Sequence, residues 1–236
     1  MYRKPCLGMF DQFMEDNKSI IDIFYVGDAA GRKGDHSASD AKFAWNAGIE
    51  FFTPEAYFLK EPNKYPDIIP LSPPENIKLR LSIPEKTVVI FIGPPGSGKS
   101  SLALKLQEKY EDLDVISNDQ TGSASKSSKM FRMAIKGESP RIIIDNLNAS
   151  MMNRAEYCEM AKDNEYKVIA IHFALPEEYA KHLNWYRAYT QKVKLIPDIA
   201  YTMYKKHYDP INKLEEYDAT YTYIPKLDAD IFRYVF

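Results

Sequence analysis

The chain has 236 residues, 45% hydrophobic and 27% charged, which excludes a disordered polymer and leaves room for one ample domain plus a smaller piece. The formal net charge of −2 excludes a wholesale basic coat, so any contact with nucleic acid has to come from a local patch.

In chain order, an N-terminal segment of residues 1–60 comes first. Proline then marks a boundary. Pro62, Pro66, Pro70, Pro73, Pro74 and Pro84 crowd residues 61–85. Proline lacks an N–H and restricts the residue before it, so this stretch reads as an extended linker. Residues 86–236 then alternate. KTVVIFI (86–92) predicts a buried strand, SSLALKLQEKY (100–110) a helix, 114–116 a short strand and 126–136 a helix. RIIID (141–145) predicts a strand, 152–164 a helix, KVIAIHF (167–173) a strand, and 176–190 a helix opened by proline. Alternating apolar and polar residues at 221–224 suit one more strand. Strands alternating with helices mean an α/β fold, a parallel sheet covered by helices on both faces.

No apolar run reaches transmembrane length and no secretory apolar stretch opens the sequence, so the expectation is an intracellular, soluble protein. Cys6 and Cys158 are far apart and have no metal-ligand spacing; buried thiols are the expectation. His36, His172, His182 and His207 show no zinc spacing either.

Gly93, Pro94, Pro95, Gly96, Ser97, Gly98, Lys99 and Ser100, continued by Ser101, match G-x-x-x-x-G-K-[ST] between a predicted strand and a predicted helix. Glycines let the backbone curl until its N–H groups point inward, and the helix N-terminus behind them completes an anion site. Lys99 supplies a point charge for terminal phosphates and the Ser100 hydroxyl a Mg²⁺ ligand. ATP with Mg²⁺ is the expected cofactor pair. The loop by itself does not separate a kinase from an ATPase or GTPase.

Ligands of open α/β sheets sit at the carboxyl ends of strands. Asp119 follows one predicted strand, where a carboxylate serves either as acceptor of a substrate hydroxyl proton or as a cap on the next segment. Asp145, with Asn146 and Asn148, follows another, as metal-directed carboxylate or as turn chemistry. The helix at 176–190 carries Lys181, His182 and Arg187. Arg187 suits a cation closing over a transferring phosphoryl group, although spacing alone reads it as a solvated charge. Lys126, Lys129, Arg132 and Lys136 share one helix face, either a solvated face or a phosphate-contacting stripe.

Taken together, these segments resemble the bifunctional polynucleotide kinase 3′-phosphatase family over nearly the whole chain. GPPGSGKSS, ISNDQTGS, IIIDNLN, KHLNWYRAYT and IPDIAYTMYKKHYDPINKLEEYD are similar, in that order, to its P-loop, acceptor-activating, strand-end, lid and closing segments. The resemblance implies that Asp119 activates a 5′-hydroxyl and that Arg187 clamps phosphate. YVGDAAGR with Asp35, Asp40 and TPE (53–55) resembles the end of that family's haloacid-dehalogenase-like phosphatase domain, which implies a Mg²⁺ role for Asp28 with Asp35 or Asp40, and Lys4 resembles a phosphate-stabilising lysine. No D-x-D-G-T nucleophile segment is present in the 236 residues, so 3′-phosphatase activity is not expected. Asn118 and Trp185 stand where the family carries arginines, and Trp185 offers a ring for stacking on a base.

The expectation is therefore a phosphatase-domain remnant at 1–60, a linker at 61–85 and a P-loop kinase domain at 86–236. Its reaction is ATP-dependent phosphorylation of a DNA or RNA 5′-hydroxyl end, as in DNA repair. Catalytic roles fall to Lys99, Asp119 and Arg187, and metal binding to Ser100 and Asp145. A small-molecule P-loop kinase, and a catalytically weak end-binding scaffold, are the alternatives.

Overall fold

A computed structural model describes residues 3–236. Two compact units emerge. The first gathers the chain up to Pro73 with His182–Leu195 and Leu227–Phe236; the second holds Pro74–Lys181 and Ile196–Lys226.

The first unit contains helix α1 (Gly8–Asp16), strand β1 (Phe24–Val26), helix α2 (Ser39–Ala47), strand β2 (Glu50–Phe52) and helix α3 (Pro54–Leu59). β1 and β2 pair in parallel, Tyr25 opposite Phe51. Ala30, Ala41, Ala44 and Phe51 form its small core, with Tyr25, Ile49, Tyr65 and Ile68 packed around them. Thr53 caps α3 by accepting from the Ala56 N–H, and Pro54 opens the helix, where its missing N–H costs nothing. The last ten residues return to this unit. The Asn46 side chain exchanges hydrogen bonds with the Val235 backbone in both directions, and the Trp185 ring stacks on Phe236 at 6.1 Å and 12°.

The second unit is built on strands β3 (Thr87–Ile92), β4 (Leu113–Ile116), β5 (Arg141–Ile144), β6 (Lys167–Phe173) and β7 (Ala219–Tyr223). All pairings are parallel, in the spatial order β4-β5-β3-β6-β7. Helices α4 (Lys99–Lys109), α5 (Asn118–Thr121), α6 (Ala124–Lys136), α7 (Met151–Asp163) and α9 (Asp198–His207) join them; α8 (Glu177–Thr190) begins in this unit and ends in the first.

The apolar run of β3 is buried at every position, as a central strand covered on both faces requires. Alternate residues serve opposite faces. Val88, Ile90 and Ile92 pack with Phe131 and Ile135 of α6 and with Tyr157, Cys158 and Ala161 of α7. Val89 and Phe91 pack with Ala103 and Leu106 of α4. The expected α/β architecture is thus present, and predicted element ends agree within two residues. The 221–224 strand is β7, on the sheet's edge. Helix α9 has no counterpart in the expectations: only Tyr201 of its residues is buried, so no apolar stripe announced it.

The proline-rich stretch forms no helix or strand beyond one isolated bridge, and its end is not a bare tether. Leu79, Leu81 and Ile83 pack into the core facing α4, and Ile77 forms an antiparallel bridge with Ile224 beyond β7.

Candidate active site

β3 ends at Ile92, and the chain turns through residues 93–98 into α4. Gly96 and Gly98 adopt φ of +76° and +92°, a region that costs a side chain energy and a glycine almost none. A Cβ at Gly96 would stand 2.7 Å from the Ala180 carbonyl oxygen. Ser97 is fully buried and its hydroxyl donates to the Pro94 carbonyl at 2.8 Å, pinning the curl. The Gly93 N–H donates to the Leu147 carbonyl at 3.2 Å, and the Asn148 amide donates to the Phe91 carbonyl at 2.7 Å. These bonds lock the loop after β3 to the loop after β5. The arrangement is strand, curled loop, helix N-terminus: the geometry of a phosphate cradle.

Lys99 is buried at the start of α4. Its ammonium donates to the carbonyls of Gly93 (3.0 Å) and Pro94 (2.7 Å), inside the curl of the loop. Burial pulls it down to about 8, against the opposing charges of Asp145 and Asp119. Burial likewise pushes the Asp145 carboxyl above its ordinary range, while the Ser100 hydroxyl and Lys99 pull it back. Asp119 raises Asp145 further, so the two carboxylates feel each other across the end of the sheet.

Asp119 is held by a local device. Ser117 ends β4 and caps α5, accepting from the Gln120 N–H at 3.2 Å. The Asn118 N–H donates to the Asn146 side-chain oxygen at 2.6 Å, which ties the strand end bearing Asp119 to the one bearing Asp145. Among the described residues, the Asn118 side-chain oxygen is buried without a hydrogen-bond partner.

The sequence candidates Lys99, Ser100, Asp119 and Asp145 therefore converge at the carboxyl ends of β3, β4 and β5. Two carboxylates facing one lysine leave net negative charge. Asp145, disfavoured as an anion by burial, gains from a cation beside it. Ser100 and Asp145 consequently fit a Mg²⁺ ion carried in with nucleotide phosphates, a metal that normally takes only one or two protein ligands there.

Arg187 is exposed on the part of α8 that clusters with the first unit. One face of the Trp185 ring is stacked on Phe236, so a base has at most its other face to meet. Asn148 also differs from a ligand-facing reading, since its amide donates to the backbone ends of β3 and β5. In the first unit, Asp40 is buried and paired with Lys4, while Asp35 is bonded to Arg32 at 3.1 Å; Asp28 is exposed. Among the described residues, no group of three or more His, Cys, Asp or Glu side chains is placed to hold a metal.

Beside the carboxylates lies an open cleft of about 890 Å³. Its lining includes Asn118 and Asn146, next in sequence to the two carboxylates, Lys129 and Arg132 of α6, and Tyr204 and His207 of α9. Only these two of the four predicted α6 cations reach it. Sequence reasoning singled out 196–218 only by resemblance, as a closing segment, and placed no cleft wall there. It also missed Arg154, a fully buried cation that binds Glu215 at 2.8 Å and donates to the Asn148, Ala149 and Asp209 carbonyls. That residue fastens the cleft floor to the segment following α9. An arginine in mid-helix gives no sequence signal of burial.

Comparison with known proteins agrees with this geometry. The bifunctional polynucleotide phosphatase/kinase of Schizosaccharomyces pombe is 33% identical over 248 residues, 94% of this chain and 60% of that protein. This chain is similar in sequence to that bifunctional polynucleotide phosphatase/kinase along most of its own length. A mimivirus protein (Acanthamoeba polyphaga mimivirus), whose name assigns it the same two activities provisionally, is 32% identical over 252 residues, 88% of this chain and 59% of that protein. The chain thus spans about 60% of the length of these two relatives. The family described as polynucleotide kinase 3 phosphatase matches residues 1–58. Over 64 residues, a quarter of this chain and 9% of the other, it is 53% identical to polynucleotide 3′-phosphatase ZDP of Arabidopsis thaliana. The relatives' kinship therefore covers both the phosphate-loop unit and the segment before it.

Proposed function

We propose that the chain transfers the γ-phosphoryl group of ATP to the 5′-hydroxyl of a DNA or RNA end. The observation that carries the proposal is the convergence of Lys99, Ser100, Asp145 and Asp119 beside an open cleft, in a chain similar to named phosphatase/kinases along its length. The loop N–H groups and Lys99 hold the β- and γ-phosphates. Ser100 and Asp145 would hold a Mg²⁺ ion, which would neutralise phosphate charge. Asp119 orients the acceptor hydroxyl and takes its proton as the oxygen bonds to the γ-phosphorus. The bond from that phosphorus to the β-bridging oxygen breaks, and ADP leaves. Catalysis of this kind is positioning and electrostatics rather than covalent participation.

A small-molecule kinase is the second reading. It is favoured by the uncharged amide groups that line much of the cleft, which suit a nucleoside. The 236 residues carry no D-x-D-G-T segment, so the reading covers the kinase reaction alone. The test is transfer of labelled γ-phosphate to a 5′-hydroxyl oligonucleotide and to a panel of free nucleosides, with Lys99→Ala and Asp119→Asn alongside. Label on the oligonucleotide, lost in both variants, supports the proposal. Label on nucleosides alone sends the acceptor reading to the second class. Intact ATP binding without transfer to either leaves a scaffold.

A further inference from the structure

Glu156 of α7 is a carboxylate in the wall of the cleft, where a polyanionic acceptor would run. One of its oxygens accepts from the Arg132 guanidinium at 3.2 Å and from the Ser128 hydroxyl at 2.7 Å. All three residues line the cleft, and Arg132 and Glu156 are about half exposed. Glu156 therefore occupies the two α6 groups best suited to a phosphate and places a negative charge beside them. Lys129 is left as the α6 cation in the cleft that no carboxylate neutralises within salt-bridge distance among the described residues. The rest of the lining mixes amides (Asn118, Asn146, Asn153) and the Tyr204 ring, groups that suit a sugar or base, with aliphatic side chains and His207 on α9.

We infer that Glu156 is a specificity-determining residue: it restricts acceptor recognition to the terminal nucleotide by denying Arg132 and Ser128 to the next backbone phosphate. The inference rests on the polynucleotide acceptor reading and deepens it. Acceptors are then 5′-hydroxyl ends held by their last nucleoside and about one phosphate. Strand length adds little affinity, and salt weakens binding only slightly.

The experiment measures binding of a fluorescent single-stranded 5′-hydroxyl decanucleotide by anisotropy across a potassium chloride series. Three proteins are compared: the natural chain, Glu156→Gln, and Glu156→Gln combined with Arg132→Gln. Glutamine keeps an oxygen for Ser128, so the α6–α7 contact persists, and circular dichroism checks the fold. Glu156→Gln is expected to bind the decanucleotide about fivefold more tightly at low salt. Its slope of log Kd against log salt steepens by about 0.7, one single-strand phosphate contact. The double variant returns both to the natural values, and a nucleoside 3′-monophosphate distinguishes none of the three by more than the decanucleotide's own gain. An unchanged slope in Glu156→Gln overturns the inference. Phosphoryl transfer is followed on the same samples. Transfer intact with an unchanged slope removes this inference alone; no transfer and no oligonucleotide binding by any of the three removes the acceptor reading with it.

Discussion

The Lys99 ammonium lies 2.7 Å from the carbonyl oxygen of Pro94, so this cation rests against its own loop. Its depressed value, about 8, follows from burial in that position. Between pH 8 and 10.5 the unfolded chain holds a proton that the folded chain has released, so this group makes the nucleotide-free protein more stable as pH rises through that window. Phosphates restore the lysine's charge. ATP binding should therefore take up a proton near pH 8, and affinity should fall by about tenfold per pH unit above it. Calorimetry in buffers of different ionisation enthalpy measures the uptake directly, and Lys99→Met should abolish it.

Asp145 is held above its ordinary range by burial, and a cation offsets that cost. Asp145→Asn should weaken Mg²⁺ dependence of turnover by about 10- to 100-fold, the scale seen when groups supporting a bound metal are removed. A Mg²⁺ titration at saturating ATP checks this. An unchanged half-saturation point would remove Asp145 from the metal site.

Gly96 and Gly122 form a matched pair. Both have positive φ, +76° and +82°, but a Cβ at Gly96 meets the Ala180 carbonyl oxygen at 2.7 Å while one at Gly122 meets nothing within 4 Å. Gly122→Ala should cost only the backbone term, about 1–2 kcal/mol. Gly96→Ala should cost more and should also abolish the stabilisation that ATP confers. Thermal melts with and without ATP separate the two effects.

Glu215 accepts from the buried Arg154 guanidinium and also caps its own short helical turn, Lys213–Glu215. Burial alone would raise its carboxyl, but Arg154 and the Asn212 N–H outweigh that and hold it below the ordinary range. The pair's stabilisation is present above the unfolded value and lost as pH falls through the depressed one. Glu215→Ala strands a buried arginine and should cost about 3–5 kcal/mol in urea unfolding at neutral pH. The part of that difference that comes from the charge of the Glu215 carboxylate should be lost in acid.

The phosphate loop was fully legible in the sequence because each of its residues answers to a backbone or charge requirement at fixed spacing. The strands at 86–92, 141–145 and 167–173 were legible because central parallel strands are apolar throughout. Asp119 and Asp145 could be placed at strand ends because the apolar runs before them were legible as strands. The parts that stayed hidden depend on distant partners. Nothing near Trp185 in the sequence says that one face of its ring stacks on Phe236, 51 positions later in the numbering. Arg154 and Glu215 are both charged residues in polar surroundings of sequence, and nothing local says that they meet in the interior. The α9 wall of the cleft carries exposed Ile199 and Met203 and a single buried tyrosine, so its periodicity matched no template.

The burial of Ile83 has a practical bearing on how a gene for the second unit is cut. Ile83 is 1% exposed, its N–H donates to the Tyr110 hydroxyl, and its carbonyl accepts from the Arg141 side chain. An expression fragment opened at Lys86, where the alternating pattern begins, would strip this residue with Leu79 and Leu81 and leave an uncovered apolar groove over the α4 face. Such a fragment should be recovered from cells as aggregate. One opened before Ile77 keeps the groove filled and the edge of β7 bridged.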